Sequence, residues 1–333
     1  MDRPALVDLR RRTERTARGR LSAVPLLDLA DFRSKDDARR KQFNAGLRHA
    51  LTEFGFVRIA GHEIDANLIR RVYEGFEEFF ARDDEEKAGY SGVVGGQRGF
   101  TPVGVEHAKD QATPDLKEFF HIGRELDPSH SYFSEYPPNL WPNDADALRR
   151  ACLDLHDALD RCAIALLESL ALSFDLPQDA FARMLTDGNS ILRALHYPPV
   201  VLQSEAAMRA APHEDINLIT LLCEATGDGL EILTRGDEWL AVPAHPGEII
   251  VDAGDMLSRI TNDVVPSATH RVIAAPHTAE AHRYSLPYFA HPFPSCDLSV
   301  RDSFVEPGAQ PKYPTITAAE FLTQRLREIG LID

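Results

Sequence analysis

Two side chains in the middle of this sequence, and one of several further along, could bind a metal. In Pro212-His213-Glu214-Asp215-Ile216-Asn217-Leu218-Ile219-Thr220-Leu221-Leu222, an imidazole and a carboxylate stand two residues apart ahead of an apolar run. If the stretch is one strand, alternation puts His213 and Asp215 on one face and Glu214 on the other. A third donor has to come from elsewhere. His270 leads, because Val272-Ile273 after it reads as a strand heading back to a core. Its rivals are His277, in a polar loop beside Pro276; His282, which adjoins Arg283 and would face the other way along a strand; and His291, in a Pro-rich turn. Two imidazoles and one carboxylate on one side of a metal leave open positions opposite, an arrangement suited to Fe(II) and O2.

A second pattern follows. Arg283 and Ser285 are two residues apart in Arg283-Tyr284-Ser285, so on a strand they share a face. A guanidinium fork beside a hydroxyl is a receptor for a carboxylate. Tyr197, in Leu195-His196-Tyr197-Pro198-Pro199, could add a phenolic donor or could be a core tyrosine at a Pro-bent strand end.

The elements that must hold these groups are readable in outline. Val24–Leu29 begins as a strand after an arginine-rich stretch. Phe43, Leu47, Leu51 and Phe54 mark a helix stopped by Gly55, and Phe56–Ile59 a strand. Leu68, Val72, Phe76 and Phe79 mark a second helix, and the charge run from Arg82 to Lys87 reads as its solvated end. Strands are expected at Phe100 and over Asp115–Ile122. Apolar residues from Leu148 to Leu170 then recur at helical spacing over about seven turns. From 188 to 295 short apolar runs alternate with turns, the texture of a sandwich or barrel. Thr317-Ala318-Ala319-Glu320 is a capping box opening a helix with Leu322, Leu326 and Ile329 on one face. The expected fold class is α+β: a double-stranded β-helix (jelly-roll) core flanked by helices. Its expected parts are a mobile basic arm (1–22), an N-terminal α/β region (23–145), a long supporting helix (146–175), the core with the metal site (188–295) and a C-terminal segment with its helix (296–333).

Composition narrows the partners. A formal net charge of −16 disfavours nucleic acid and anionic membranes and suits a small-molecule substrate. No apolar run approaches the roughly 18 residues of a membrane span. The four cysteines have no C-x-x-C spacing, which points to reduced, packed thiols in a cytoplasmic protein.

In this order, these pieces resemble the isopenicillin N synthase-like family of Fe(II)/2-oxoglutarate-dependent oxygenases. The resemblance covers most of the chain. It rests on Val24–Leu29, Gly55-Phe56-Val57 and Phe79-Phe80 in the N-terminal part. Further on it rests on His213-Glu214-Asp215, Gly254-Asp255-Met256-Leu257, Thr261-Asn262, Ser267–Val272 and Arg283-Tyr284-Ser285. Three positions depart from the pattern: Glu214 where Thr or Ser is usual, Asp252 where Asn is frequent, and His62 after Gly61 where Asn-His-Gly is commoner. The resemblance implies that His213, Asp215 and His270 hold Fe(II), and that Arg283, Ser285 and Tyr197 hold the distal carboxylate of 2-oxoglutarate. It implies a reaction with O2 that oxidises an unactivated C–H bond (hydroxylation, desaturation or cyclisation) while 2-oxoglutarate becomes succinate and CO2. Arg98, in Gln97-Arg98-Gly99-Phe100, resembles a position that grips a substrate carboxylate. Some relatives, isopenicillin N synthase among them, act without 2-oxoglutarate. That enzyme is described with a glutamine near its C-terminus. The tail here, Glu328–Asp333, holds none, and Gln324 lies within the expected helix. A non-oxygenase enzyme on the same barrel, such as a cupin-like isomerase or a zinc hydrolase, and a metal-binding module without catalysis are the remaining alternatives.

Overall fold

A computed structural model describes residues 23–93, 96–106, 115–143, 145–200, 207–274, 279–329 and 331–332. The basic arm at 1–22 and His277 lie outside the described residues.

Among the described residues, twelve strands form two sheets. They are β1 Leu26–Asp28, β2 Phe56–Ala60, β3 Gly99–Thr101, β4 Glu118–Gly123, β5 Ile191–Tyr197, β6 Ala207–His213, β7 Ile219–Cys223, β8 Leu230–Leu233, β9 Trp239–Ala241, β10 Ile249–Ala253, β11 His270–Ala274 and β12 Arg283–Ala290. The larger sheet runs β1-β2-β10-β7-β12-β5-β4-β3 and the smaller β6-β11-β8-β9. The helices are α1 Leu29–Phe32, α2 Asp37–Glu53, α3 Ala66–Phe80, α4 Asp84–Ala88, α5 Asp146–Ser173, α6 Asp179–Ala182, α7 Asp255–Ile260 and α8 Ala318–Glu328.

Strand alternation sorts the larger sheet's two faces. Leu192 and Ala194 of β5, Leu221 of β7, Val251 of β10, and Leu286 and Tyr288 of β12 face the main core. There they meet α2, α3 and α5, whose apolar stripe includes Cys152, Leu155, Leu159 and Leu166. At 28 residues, α5 is about 42 Å long and backs the sheet. The residues in between (Arg193, Leu195 and Tyr197; Thr220 and Leu222; Ser285, Pro287 and Phe289) face the smaller sheet across a cavity of about 390 Å³. A second, smaller core seals part of this gap, joining Phe119, Leu195 and Tyr197 to Ala210, Ile232 and Val272. This is the jelly roll flanked by helices that the sequence led us to expect.

Three details differ from the sequence reading. His213 ends β6 and Asp215 lies in the following turn, so they do not share one strand. The chain is crossing from the smaller sheet to the larger there, and Ile219, where β7 begins, has already changed sheets. One whole strand, β6, is additional to the expected ones, whereas β11 stands where Val272-Ile273 led us to expect a strand. Lys87, expected on a solvated helix end, is buried against Glu118 at 2.9 Å. All four cysteines are free and buried, and burial pushes the Cys162 and Cys223 thiols up to about 12. Among the described residues no helix is long and apolar enough to cross a membrane.

Candidate metal centre and co-substrate pocket

His213 and His270 are brought together by register. They face each other on the antiparallel pair β6–β11, with ring centroids 4.3 Å apart. Asp215 joins them through the turn after β6. Its carbonyl accepts the Asp255 N–H at 2.7 Å, and the Asn217 carbonyl accepts that of Met256, which docks the turn on the first residues of α7. The approach requires a glycine before α7. A Cβ on Gly254 would lie 2.3 Å from the Asn217 carbonyl oxygen and 2.8 Å from that of Asp215. One donor atom from each of His213, Asp215 and His270 then lies within 4.8 Å of the others, the one such cluster found among the described residues.

Surrounding bonds orient each donor. The Nδ1–H of His213 donates to the Ala211 carbonyl at 2.7 Å, and that of His270 to the Ala268 carbonyl at 3.0 Å. Both Nε2 atoms therefore keep their lone pairs. The Thr220 hydroxyl donates to Oδ2 of Asp215. Burial, then the neighbouring His270, lowers His213 to about 4, so it is neutral near pH 7, as a metal ligand must be. Asp252, close by and buried, is pushed well above the usual carboxylate range by burial and then by the charge of Asp215. The set fits a six-coordinate cation with open positions rather than a closed structural site.

Arg283 and Ser285 project from β12 into the same cavity and are both buried. The Nε–H of Arg283 donates to the Gly227 carbonyl at 3.0 Å, and its guanidinium carbon lies 5.0 Å from the Tyr197 ring. Its Nη1 has no partner among the described residues. A buried cation with an unused donor calls for an anion.

The other expected residues are placed as follows. Glu214 is turned outward and accepts from the Thr269 hydroxyl at 2.7 Å. His282 immediately precedes β12, lies 2.8 Å from His196 and is not among the cavity-lining residues. His291 does line the cavity, outside the three-donor cluster, and its Nδ1 has no partner among the described residues. Arg98 is not among the cavity-lining residues. It is buried across Gly123, where a Cβ would meet the guanidinium at about 2 Å, and it donates to the Gln97 carbonyl and the Asn189 side chain. Gln324 is exposed on α8 and bonds Glu328, whereas the Leu322, Leu326 and Ile329 side closes the cavity.

A polar wall opposite went unread in the sequence. Arg193 holds Glu106 with two bonds of 3.1 Å and donates from Nε to His121 at 2.5 Å. Lys117 lies 2.8 Å from Glu106 and 2.7 Å from Asp115. The signal for Arg193 was parity: it is four residues before Tyr197 on one strand, hence on the same face.

Comparisons with known proteins agree with this geometry. Residues 24–144 match the family model for the N-terminal region of the non-haem dioxygenase in morphine synthesis, and residues 188–292 that of the 2OG-Fe(II) oxygenase superfamily. The 2-oxoglutarate-Fe(II) type oxidoreductase hxnY of Emericella nidulans is 30 % identical over 312 residues, covering 90 % of this chain and 88 % of its own. The chain belongs to the 2OG-Fe(II) oxygenase superfamily. A solved structure of a family member from Caulobacter crescentus is similar at 38 % identity and a TM-score of 0.83, covering 92 % of this chain and 99 % of that one. A full-length Neurospora crassa protein solved in complex with alpha-KG (2-oxoglutarate) is similar at 26 % identity and a TM-score of 0.81, covering 91 % and 96 %. A further structure of that Neurospora protein also holds thymine. This oxygenase is of the isopenicillin N synthase-like type, an oxidoreductase working with Fe(II), 2-oxoglutarate and O2.

Proposed function

We propose that His213, Asp215 and His270 hold Fe(II), that Arg283 and Ser285 hold the distal carboxylate of 2-oxoglutarate, and that the enzyme oxidises a C–H bond of a small molecule in the remaining cavity. The observation that carries this reading is the pairing, in one cavity, of the three-donor cluster with a buried arginine whose Nη1 is unused. When bound, the iron and 2-oxoglutarate supply the oxidising chemistry, with succinate and CO2 as co-products. The chain's residues bind and exclude. The Ala211 and Ala268 carbonyls fix the two imidazoles, and Thr220 fixes Asp215. Tyr197 sets its ring against Arg283 and so steadies the fork that receives the carboxylate. Leu322, Leu326 and Ile329 keep water from the cavity's open side.

The unpartnered Nη1 fits a carboxylate, and the alpha-KG held by the similar Neurospora crassa protein supports 2-oxoglutarate over an oxidase that works without it; the outward placement of Gln324 is consistent with that. The four buried free thiols support a cytoplasmic setting. Anaerobic addition of Fe(II) and 2-oxoglutarate should give a weak visible charge-transfer band that is absent in His213→Ala. A protein that forms no such band while correctly folded would overturn the assignment.

A further inference from the structure

The cavity's second half has an electrostatic character of its own. Among the described residues, four cations line the cavity: Lys117, Arg193, Arg283 and Arg325. Three already have carboxylate partners within it. Arg193 is clamped by both oxygens of Glu106, Lys117 sits between Glu106 and Asp115, and Arg325 lies 3.2 Å from Asp255. Glu106, Asp115 and Lys117 are themselves buried. The Arg193 guanidinium carbon also lies 4.1 Å from the Phe119 ring and 5.0 Å from that of Phe289, so its position is fixed by packing as well as charge. A carboxylate entering here would have to displace Glu106 or Asp115 and leave it buried without its cation, which is costly. Besides Arg283, the cavity-lining side chains with a buried polar atom lacking a hydrogen-bond partner among the described residues are Asp252 (Oδ1), Arg325 (Nε) and His291 (Nδ1), and of these His291 is the uncharged donor or acceptor.

We infer that the half of the cavity walled by Arg193, Lys117 and His291 takes an uncharged polar part of the substrate and disfavours a carboxylate. This rests on the reading above, in which Arg283 is reserved for 2-oxoglutarate. It narrows the substrate class to molecules whose end near the iron carries neutral hydrogen-bonding groups, such as amides, lactams or alcohols. His291 meets one such group, and Leu322 and Leu326 cover the apolar remainder. The acidic surroundings of the mouth, where Glu214 is exposed, act in the same direction.

The test uses full-length protein loaded anaerobically with Fe(II) and saturating 2-oxoglutarate, with benzoate and its neutral counterpart benzamide as probes, titrated by calorimetry. The charge-transfer band is recorded first, so that failure of the iron and 2-oxoglutarate assignment is seen separately. Glu106→Gln removes the internal anion and keeps the shape. It should raise benzoate affinity at least ~10-fold over wild type, while benzamide changes by less than ~3-fold. Asp115→Asn should move benzoate the same way through Lys117, and covers the case that the first variant does not fold. Wild-type protein should bind benzamide at least as well as benzoate. A benzoate affinity unchanged in the folded variant, or a wild-type preference for benzoate, overturns the inference.

Discussion

Arg283 and Arg193 stand on adjacent, paired strands of one sheet and project into the same cavity, yet their surroundings are opposite. Arg283 has a carbonyl at Nε, an aromatic face at 5.0 Å and an unused Nη1. Arg193 has every nitrogen engaged, two by Glu106 and one by His121. The first is a receptor for an anion; the second is a finished ion pair that shapes a wall. Residue type alone does not separate a binding arginine from a structural one. What separates them is whether the protein has supplied the counter-charge. Arg98 lies outside the cavity, where two of its nitrogens donate to Gln97 and Asn189 and its Nε has no partner among the described residues.

The largest effect expected from breaking this contrast is at Arg283. Arg283→Gln should weaken 2-oxoglutarate on the order of 100-fold, the loss of a buried charge-assisted fork. Titrating the charge-transfer band reads it directly. Fe(II) binding should be little changed, since the three donors are elsewhere. If Arg283→Gln bound 2-oxoglutarate normally and an Arg193 variant did not, the roles assigned to the two ends would be reversed.

At Arg193 the loss should appear as stability instead. Arg193→Met strands Glu106 with only Lys117 for company, and removing one partner of a buried pair costs about 3 kcal/mol. Thermal unfolding should fall by several degrees, with the dissociation constant of 2-oxoglutarate within ~3-fold of wild type. Adding Glu106→Gln should recover part of the loss, because the uncompensated charge goes with it. A destabilised single variant with no recovery would mean that the cost is packing against Phe119 and Phe289, not charge.

Some of this contrast was legible in the sequence. Arg283 and Ser285 share a strand face by simple alternation, and the apolar runs of β5, β7, β10 and β12 marked the strands that hold them. His213, Asp215 and His270 could be named from type and order. The reason they meet could not, because Asp215 reaches the histidines by a turn between sheets, held by backbone bonds that Gly254 permits. The strand β6 was missed for a plainer reason. Ala-Met-Arg-Ala-Ala-Pro-His carries weak apolar alternation, and pairing with β11 across the sheet decides its conformation. Arg98 was misplaced because the slot that takes it exists only where Gly123 lacks a side chain.

The smallest expected effect lies at His121, which sharpens what Arg193 needs from its neighbours. Its Nδ1–H donates to the Gly96 carbonyl at 2.5 Å and its Nε2 accepts from Arg193, so only the neutral ring satisfies both bonds. Burial, then the Arg193 charge, holds its pKa well below the ordinary value of 6.5. The unfolded chain therefore takes up a proton that the fold refuses once the pH drops below that value. The His121 contribution to stability is complete above about pH 6.5 and is lost as the pH falls below it. His121→Gln can still accept from Arg193 but cannot titrate. Between about pH 8 and pH 5, the metal-free wild type should lose more stability than this variant, measured as the difference in unfolding midpoint in denaturant. If the two lose stability in parallel, His121 is not held neutral by Arg193, and the guanidinium at this end of the cavity is less fully committed than its bonds imply.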